Sequence, residues 1–130
     1  GILFIGLPSG RRIAYVKPEI GENRFGGKSI TYMGMNQTSK KWTRLETWGG
    51  KLVENIVQAF ARDCLAESIM KLDKAGYRVV FHVHDEVILD EPKDRSSAQE
   101  VAALMGQPIE WAPGLPLNAD AYECEYYRKD

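Results

Sequence analysis

The sequence predicts an α+β fold: an antiparallel sheet with one long helix and one short helix. Three observations carry this. Short β-favouring runs broken by turn residues fill the first 48 positions, and one long apolar helical pattern follows from about Gly50 to Ala75. Strands and helices then fail to alternate regularly, which argues against a parallel βαβ sheet. The chain has 130 residues, 44% hydrophobic and 27% charged, which suits one soluble globular domain able to bury a core. No apolar run reaches the ~18–20 residues of a membrane span. Ile2 to Leu7 is too short for a signal peptide and lacks a following small-residue cleavage site.

Each element has its own signal. Ile2 to Leu7 and Arg11 to Val16 flank Pro8-Ser9-Gly10, so they read as a hairpin. Lys17 to Gly27 holds a proline and three glycines and reads as a loop. Ser29 to Met33 is a further strand, and Asn36 to Lys41 a polar surface loop. In the long helix Val53, Val57, Ala61, Leu65 and Ile69 recur every four residues, beside Phe60, Cys64, Ser68 and Leu72. This reads as the buried stripe. Asn55, Gln58 and Arg62, with Glu54 at the edge, form a polar face that suits solvent. Gly76 suits the left-handed position just past the helix end.

Tyr77 to Asp90 is long for one strand, and His84-Asp85 in its middle allows a tight hairpin. Ser96 or Ser97, with Gln99 or Glu100 three residues on, suits a capping box for a short helix ending near Gly106. Gln107 to Pro116, with three prolines, reads as a loop and Leu117 to Tyr127 as a final strand. The organisation is therefore a strand-rich segment over 1–48, then helix, hairpin, helix and strand over 49–130.

The net charge of −1 hides an asymmetry: residues 1–51 carry +6 and residues 52–130 carry −7. A basic half suits a polyanion and an acidic half a cation, although a solvated uneven surface has the same composition. Cys64 and Cys124 form no metal-binding spacing and read as two buried, reduced thiols of a cytoplasmic protein.

Val79-Val80-Phe81-His82-Val83-His84-Asp85-Glu86-Val87-Ile88-Leu89 is where chemistry concentrates. Two histidines and two carboxylates interrupt a run fit for a sheet interior, where unpaired charge is costly. A turn at the sheet's end would bring Asp85 and Glu86 to the rim, as a site for a hard cation such as Mg²⁺ or simply as an acidic β-turn. His82 and His84, two apart, also suit Zn²⁺ or Fe²⁺, but no third histidine completes that set. Gly49-Gly50-Lys51 is too short for a phosphate loop, and Leu52 stands where such a loop needs Ser or Thr.

Val83-His84-Asp85-Glu86, one long helix after Gly49-Gly50-Lys51-Leu52-Val53-Glu54-Asn55, resembles the C-terminal part of a family A DNA polymerase of the phage and prophage branch. Ile13 to Tyr32, Trp42, Arg44 and the tail from Trp111 to Asp120 fit the same branch, so the resemblance covers nearly the whole chain. It implies a palm portion with His84-Asp85-Glu86 as its third polymerase motif. Asp85 then binds the catalytic metals, Glu86 is its acidic neighbour and His84 lies near the primer terminus. The helix contacts the DNA minor groove through Glu54 or Asn55, and Arg44 touches the primer.

The implied reaction adds deoxynucleotides to a primer 3′ end with two Mg²⁺ ions, on primer–template DNA and deoxynucleoside triphosphates. The family's second carboxylate, in an Asp-x-Ser-x-x-Glu string, is not in this sequence, and Arg24 and Lys28 lie in a glycine-rich loop rather than on a nucleotide-gripping helix. The expectation is a piece of a cytoplasmic phage or prophage polymerase, inactive alone and with no membrane partner. The competing reading is a non-catalytic module that self-associates or binds a partner through exposed sheet edge and apolar surface.

Overall fold

The computed structural model describes residues 1–95 and 98–129, in two compact units, Gly1–Phe60 and Ala61–Asp130. The α+β expectation holds: two antiparallel sheets and two helices. Among the described residues no helix is long and apolar enough to cross a membrane.

The first unit is a four-stranded antiparallel meander of β1 (Ile2–Gly6), β2 (Arg12–Glu22), β3 (Lys28–Met35) and β4 (Trp42–Thr47), with strand order β1-β2-β3-β4. It is followed by the start of α1 (Gly49–Lys74). The Pro8-Ser9-Gly10 turn closes the first hairpin as expected, with Gly10 at φ 93° and its N–H donating to the Leu7 carbonyl at 2.9 Å.

The expected loop over Lys17 to Gly27 is instead mostly strand. β2 continues to Glu22 through a bulge between Val16 and Glu19. Lys17 takes φ 48° there, and Pro18, which has no N–H to offer a ladder, sits in the irregularity where none is needed. The turn proper is confined to Asn23–Gly27.

Strand pairing puts Tyr32 opposite Leu45, and the Tyr15 and Tyr32 rings meet edge to face at 4.9 Å. Tyr15 is only 3% exposed. Its hydroxyl accepts a hydrogen bond from Asn55 Nδ2 at 3.0 Å, and Arg11 Nη2 donates to the Ala59 carbonyl at 3.0 Å. The inner sheet face thus meets the first turns of α1. The other face leaves Ile2, Phe4, Met35 and Trp42 exposed.

In the second unit the rest of α1 precedes the hairpin of β5 (Val79–Val83) and β6 (Glu86–Leu89), then α2 (Ala98–Met105). Gly76, at φ 86°, ends α1. Its N–H bonds to the Asp73 carbonyl at 2.9 Å and the Tyr77 N–H to the Leu72 carbonyl at 3.0 Å, the paired bonds of a Schellman cap. Arg95 reinforces this end: its guanidinium donates to the Gly76 carbonyl at 2.6 Å and the Ala75 carbonyl at 3.2 Å, lies 4.7 Å from the Tyr77 ring centre, and offsets the negative end of the helix. Leu65, Leu72, Tyr77, Ile109 and Ala112 form this unit's buried core. Lys71 Nζ holds the loop carbonyls of Gln107 and Pro108 at 3.0 and 3.3 Å, and Trp111 Nε1 donates to Glu67 at 3.0 Å.

Three further expectations are corrected. The residues buried along α1 are Asp63, Leu65, Ser68 and Leu72, while Val53 and Val57 are more than half exposed. A strict four-residue row advances about 40° per step around a 3.6-residue helix, so it spirals off any one face. Leu65, Ser68 and Leu72, spaced by three and four, stay on one. Leu117 to Tyr127 forms no strand; alternation alone does not hold an extended segment without a ladder for its N–H and C=O groups. Both cysteines are free, but Cys64 is half-buried and Cys124 exposed, not both buried. The expected cap residues Ser96 and Ser97 lie outside the described residues.

Candidate metal-binding turn and nucleic-acid contacts

The β5–β6 hairpin pairs Val83 with Glu86, leaving His84 and Asp85 as a two-residue loop. The sequence reading of a turn here is therefore correct. The flanks pair into the ladder and His84-Asp85 closes its end, but the run expected to suit a sheet interior is not buried: Val80, Phe81 and Val83 are 41–48% exposed. A bulge between Val79 and Phe81 lies at the end of the hairpin away from the turn, and the rungs His82–Val87 and Val83–Glu86 next to the turn are regular.

His84 has φ 57°. Two-residue hairpin loops need positive φ at one or both positions and usually place Gly or Asn there. Histidine tolerates the left-handed region better than most side chains, yet still at a cost.

The three predicted motif residues are thus brought together at one rim. His84 and Asp85 are exposed and Glu86, the first residue of β6, is half-buried. Among the described residues neither carboxylate is engaged in an ion pair or side-chain hydrogen bond. The donor set is two carboxylates on adjacent residues of a short hairpin, oxygen ligands that fit a hard cation such as Mg²⁺. Among the described residues no group of three or more His, Cys, Asp or Glu side chains converges for a metal.

The two histidines do not act as a pair. His82 faces a cation: Arg62 Nη1 lies 3.1 Å from its Nδ1 and Arg62 Nη2 3.3 Å from its Nε2. A guanidinium against both ring nitrogens opposes a second cation there, which disfavours the His82–His84 zinc or iron reading. This Arg62–His82 contact escaped the sequence reading. From the sequence Arg62 belongs to a polar helix face suited to solvent, and nothing local links it to a histidine twenty residues on.

Of the expected DNA contacts, His84 lies at the β5–β6 turn of the second unit, and Arg44, Glu54 and Asn55 lie in the first. Arg44, on β4, donates through Nη1 to Thr31 Oγ1 and to the Lys17 carbonyl, both at 3.1 Å, and pairs with Glu19 at 3.3 Å. Glu54 is exposed, bridged to Lys51 at 3.3 Å and accepting from Gln58 at 3.2 Å. Asn55 is held by Tyr15, as above, so it braces the sheet against the helix rather than standing in solvent.

The chain is 58% identical over 131 residues to the DNA polymerase of Bacillus phage SP02, a match that takes in all of this chain and 20% of that protein. The chain is similar to DNA polymerases. It is also 28% identical over 121 residues to the thermostable DNA polymerase I of Thermus thermophilus, covering 88% of the chain and 13% of that polymerase. The likeness to family A polymerases read from His84-Asp85-Glu86, the helix and the tail is therefore borne out. The chain spans about a fifth or less of the length of the curated relatives it matches. No family model matches it, and no solved structure does.

Proposed function

We propose that this chain is the C-terminal palm portion of a family A DNA polymerase and supplies one carboxylate cluster of a two-metal site for template-directed extension of a primer 3′ end. The observation that carries the reading is the hairpin loop that lifts Asp85 and Glu86, uncommitted to other partners, to the rim of β5–β6. The whole-length similarity to a phage DNA polymerase supports it.

Asp85 is the principal ligand, because its exposed carboxylate sits in the loop with free lone pairs. Glu86, anchored by the Val83 pairing, is the secondary one. His84 presents its imidazole beside them and contacts the primer terminus. When bound, Mg²⁺ offsets the charge that develops on the attacking and leaving oxygens and on the transferred phosphoryl group. The chain's own task is to hold oxygen ligands still, which a two-residue loop with a fixed left-handed residue does. Arg44, Asn55 and Glu54 border the DNA, and the +6 balance of residues 1–51 attracts its phosphates. Glu54, an anion already paired to Lys51, serves only through groove contacts and not through phosphates.

The test is Asp85→Ala in the longer polymerase that carries this segment. Loss of a ligand worth several kcal/mol of transition-state stabilisation lowers primer extension by about three orders of magnitude, with primer–template binding retained. Extension within tenfold of the parent would overturn the assignment. The isolated 130-residue chain extends no primer, since one cluster does not hold two ions; robust extension by it, abolished by Asp85→Ala, would refute that part.

A second reading is favoured by the exposed Ile2, Phe4, Met35 and Trp42 on the open sheet face: a non-catalytic, self-associating module. Mass that rises with concentration in light scattering, with no affinity for Mg²⁺ or DNA, would select it.

A further inference from the structure

The β2–β3 hairpin ends in a tip whose composition the polymerase reading does not use. Asn23 Oδ1 accepts from the N–H groups of Phe25 at 2.9 Å and Gly27 at 3.1 Å. Gly26, at φ 82°, completes the turn, and Asn23 N–H donates to the Gly27 carbonyl at 2.7 Å. The tip is thus a fixed platform. What it presents is apolar: Phe25 is 83% exposed and Ile20, on the adjoining strand, 70%. The Arg24 guanidinium lies 4.9 Å from the Phe25 ring centre. Lys28 stands opposite Glu22 at the first rung of the ladder. Ile20, Gly21, Glu22, Gly26 and Lys28 line an open hollow of about 400 Å³ beside the tip.

An aromatic ring held out in solvent with a cation on its face suits a partner that offers flat π surfaces and negative charge together. Nucleic acid offers both: Arg24 beside the ring and Lys28 at the first rung suit its phosphates, with Glu22 the acid that stands beside them.

We propose that the β2–β3 tip is a nucleic-acid contact in which Phe25 stacks on an unpaired base while Arg24 and Lys28 hold the neighbouring phosphates. The proposal rests on the polymerase reading for the source of the DNA, but binding at the tip is measured without extension.

The experiment titrates the 130-residue chain against fluorescein-labelled oligothymidylate by anisotropy, at about 50 and about 200 mM salt. Because Phe25 is so exposed, its variants keep the fold, which circular dichroism checks. Phe25→Ala is expected to weaken binding about tenfold or more, the scale of one lost base stack. Phe25→Leu, apolar without a π face, weakens it similarly; Phe25→Trp restores it, and its indole fluorescence is quenched on binding. Arg24→Ala lowers affinity and flattens the salt dependence.

Equal affinity of Phe25→Ala and the parent chain overturns the proposal, as does full rescue by Phe25→Leu. So does a Phe25→Ala effect confined to anionic phosphatidylglycerol vesicles, which would assign the tip to a membrane surface. A neutral Phe25→Ala beside an Asp85→Ala that abolishes extension sinks only the tip. The reverse pair of results sinks only the polymerase reading.

Discussion

Two hairpin tips, one in each unit, solve the same geometric problem with different residues. At Asn23–Gly27 the left-handed position goes to Gly26, and an asparagine side chain bonds the backbone from within. At the β5–β6 loop it goes to His84, at φ 57°, next to Asp85 and with no glycine at all. Glycine at the second tip would relieve the backbone, so the histidine is held there against local preference. Lys40, at φ 56° in the turn between β3 and β4, and Lys17, at φ 48° in the β2 bulge, adopt the same conformation, so a left-handed non-glycine residue does not by itself mark a site. The contrast separates a tip whose left-handed residue is glycine from one whose left-handed residue carries a side chain.

The comparison breaks most visibly at the glycine. Gly26→Ala puts a Cβ into the left-handed region and is expected to destabilise the first unit by about 1–2 kcal/mol. Urea denaturation monitored by tryptophan fluorescence measures it. A change near zero would mean that the Asn23 turn tolerates any residue, and that His84 is then no evidence of strain.

His84→Gly is the converse and the smaller effect. Relief of the left-handed cost, partly offset by the extra freedom of glycine in the unfolded chain, is expected to stabilise the second unit by about 0.5–1 kcal/mol. On the proposed polymerase reading, the same change in the longer protein is expected to lower primer extension. A stabilised but fully active His84→Gly would separate the strain from the function.

Physical legibility divides along the same lines. The β5–β6 turn was readable because polar residues interrupt an apolar, β-favouring run. The C-terminal end of α1 was readable because Gly76 has one strong reason to stand there. β4 was missed: Trp42, Thr43, Leu45 and Thr47 favour strand, but Arg44 and Glu46 between them look like a loop until the pairing shows them on one face and Leu45 and Thr47 on the other. The strand expected over Leu117 to Tyr127 failed for the opposite reason. Its alternation is visible locally, whereas the edge it would need is a long-range property. The extension of β2 through Pro18 depended on a bulge, which composition hides. The turn that brings His84, Asp85 and Glu86 together was legible; the contacts of Arg62 with His82 in the second unit and of Asn55 with Tyr15 in the first were not, since each joins positions far apart in sequence.

The smallest effect bears on how the second unit's stability should be compared. Cys64, half-buried on α1, has its thiol pushed above the ordinary value of 9.0, first by burial, then by the nearby charges of Asp63 and Glu67, with Lys71 opposing. The folded state therefore keeps the proton at a pH where the unfolded chain releases it. By linkage, this contribution is fully present below the unfolded thiol's ionisation and is lost as pH rises through it toward the folded value. Stability of the second unit is expected to be insensitive to this group at pH 7 and to fall above pH 9.0. Cys64→Ala should flatten that alkaline slope while leaving the His84→Gly difference at pH 7 unchanged. A slope that survives Cys64→Ala would assign it to another group. The tip comparison is therefore best measured near neutral pH, where the thiol is silent in both states and any gain from His84→Gly belongs to the loop itself.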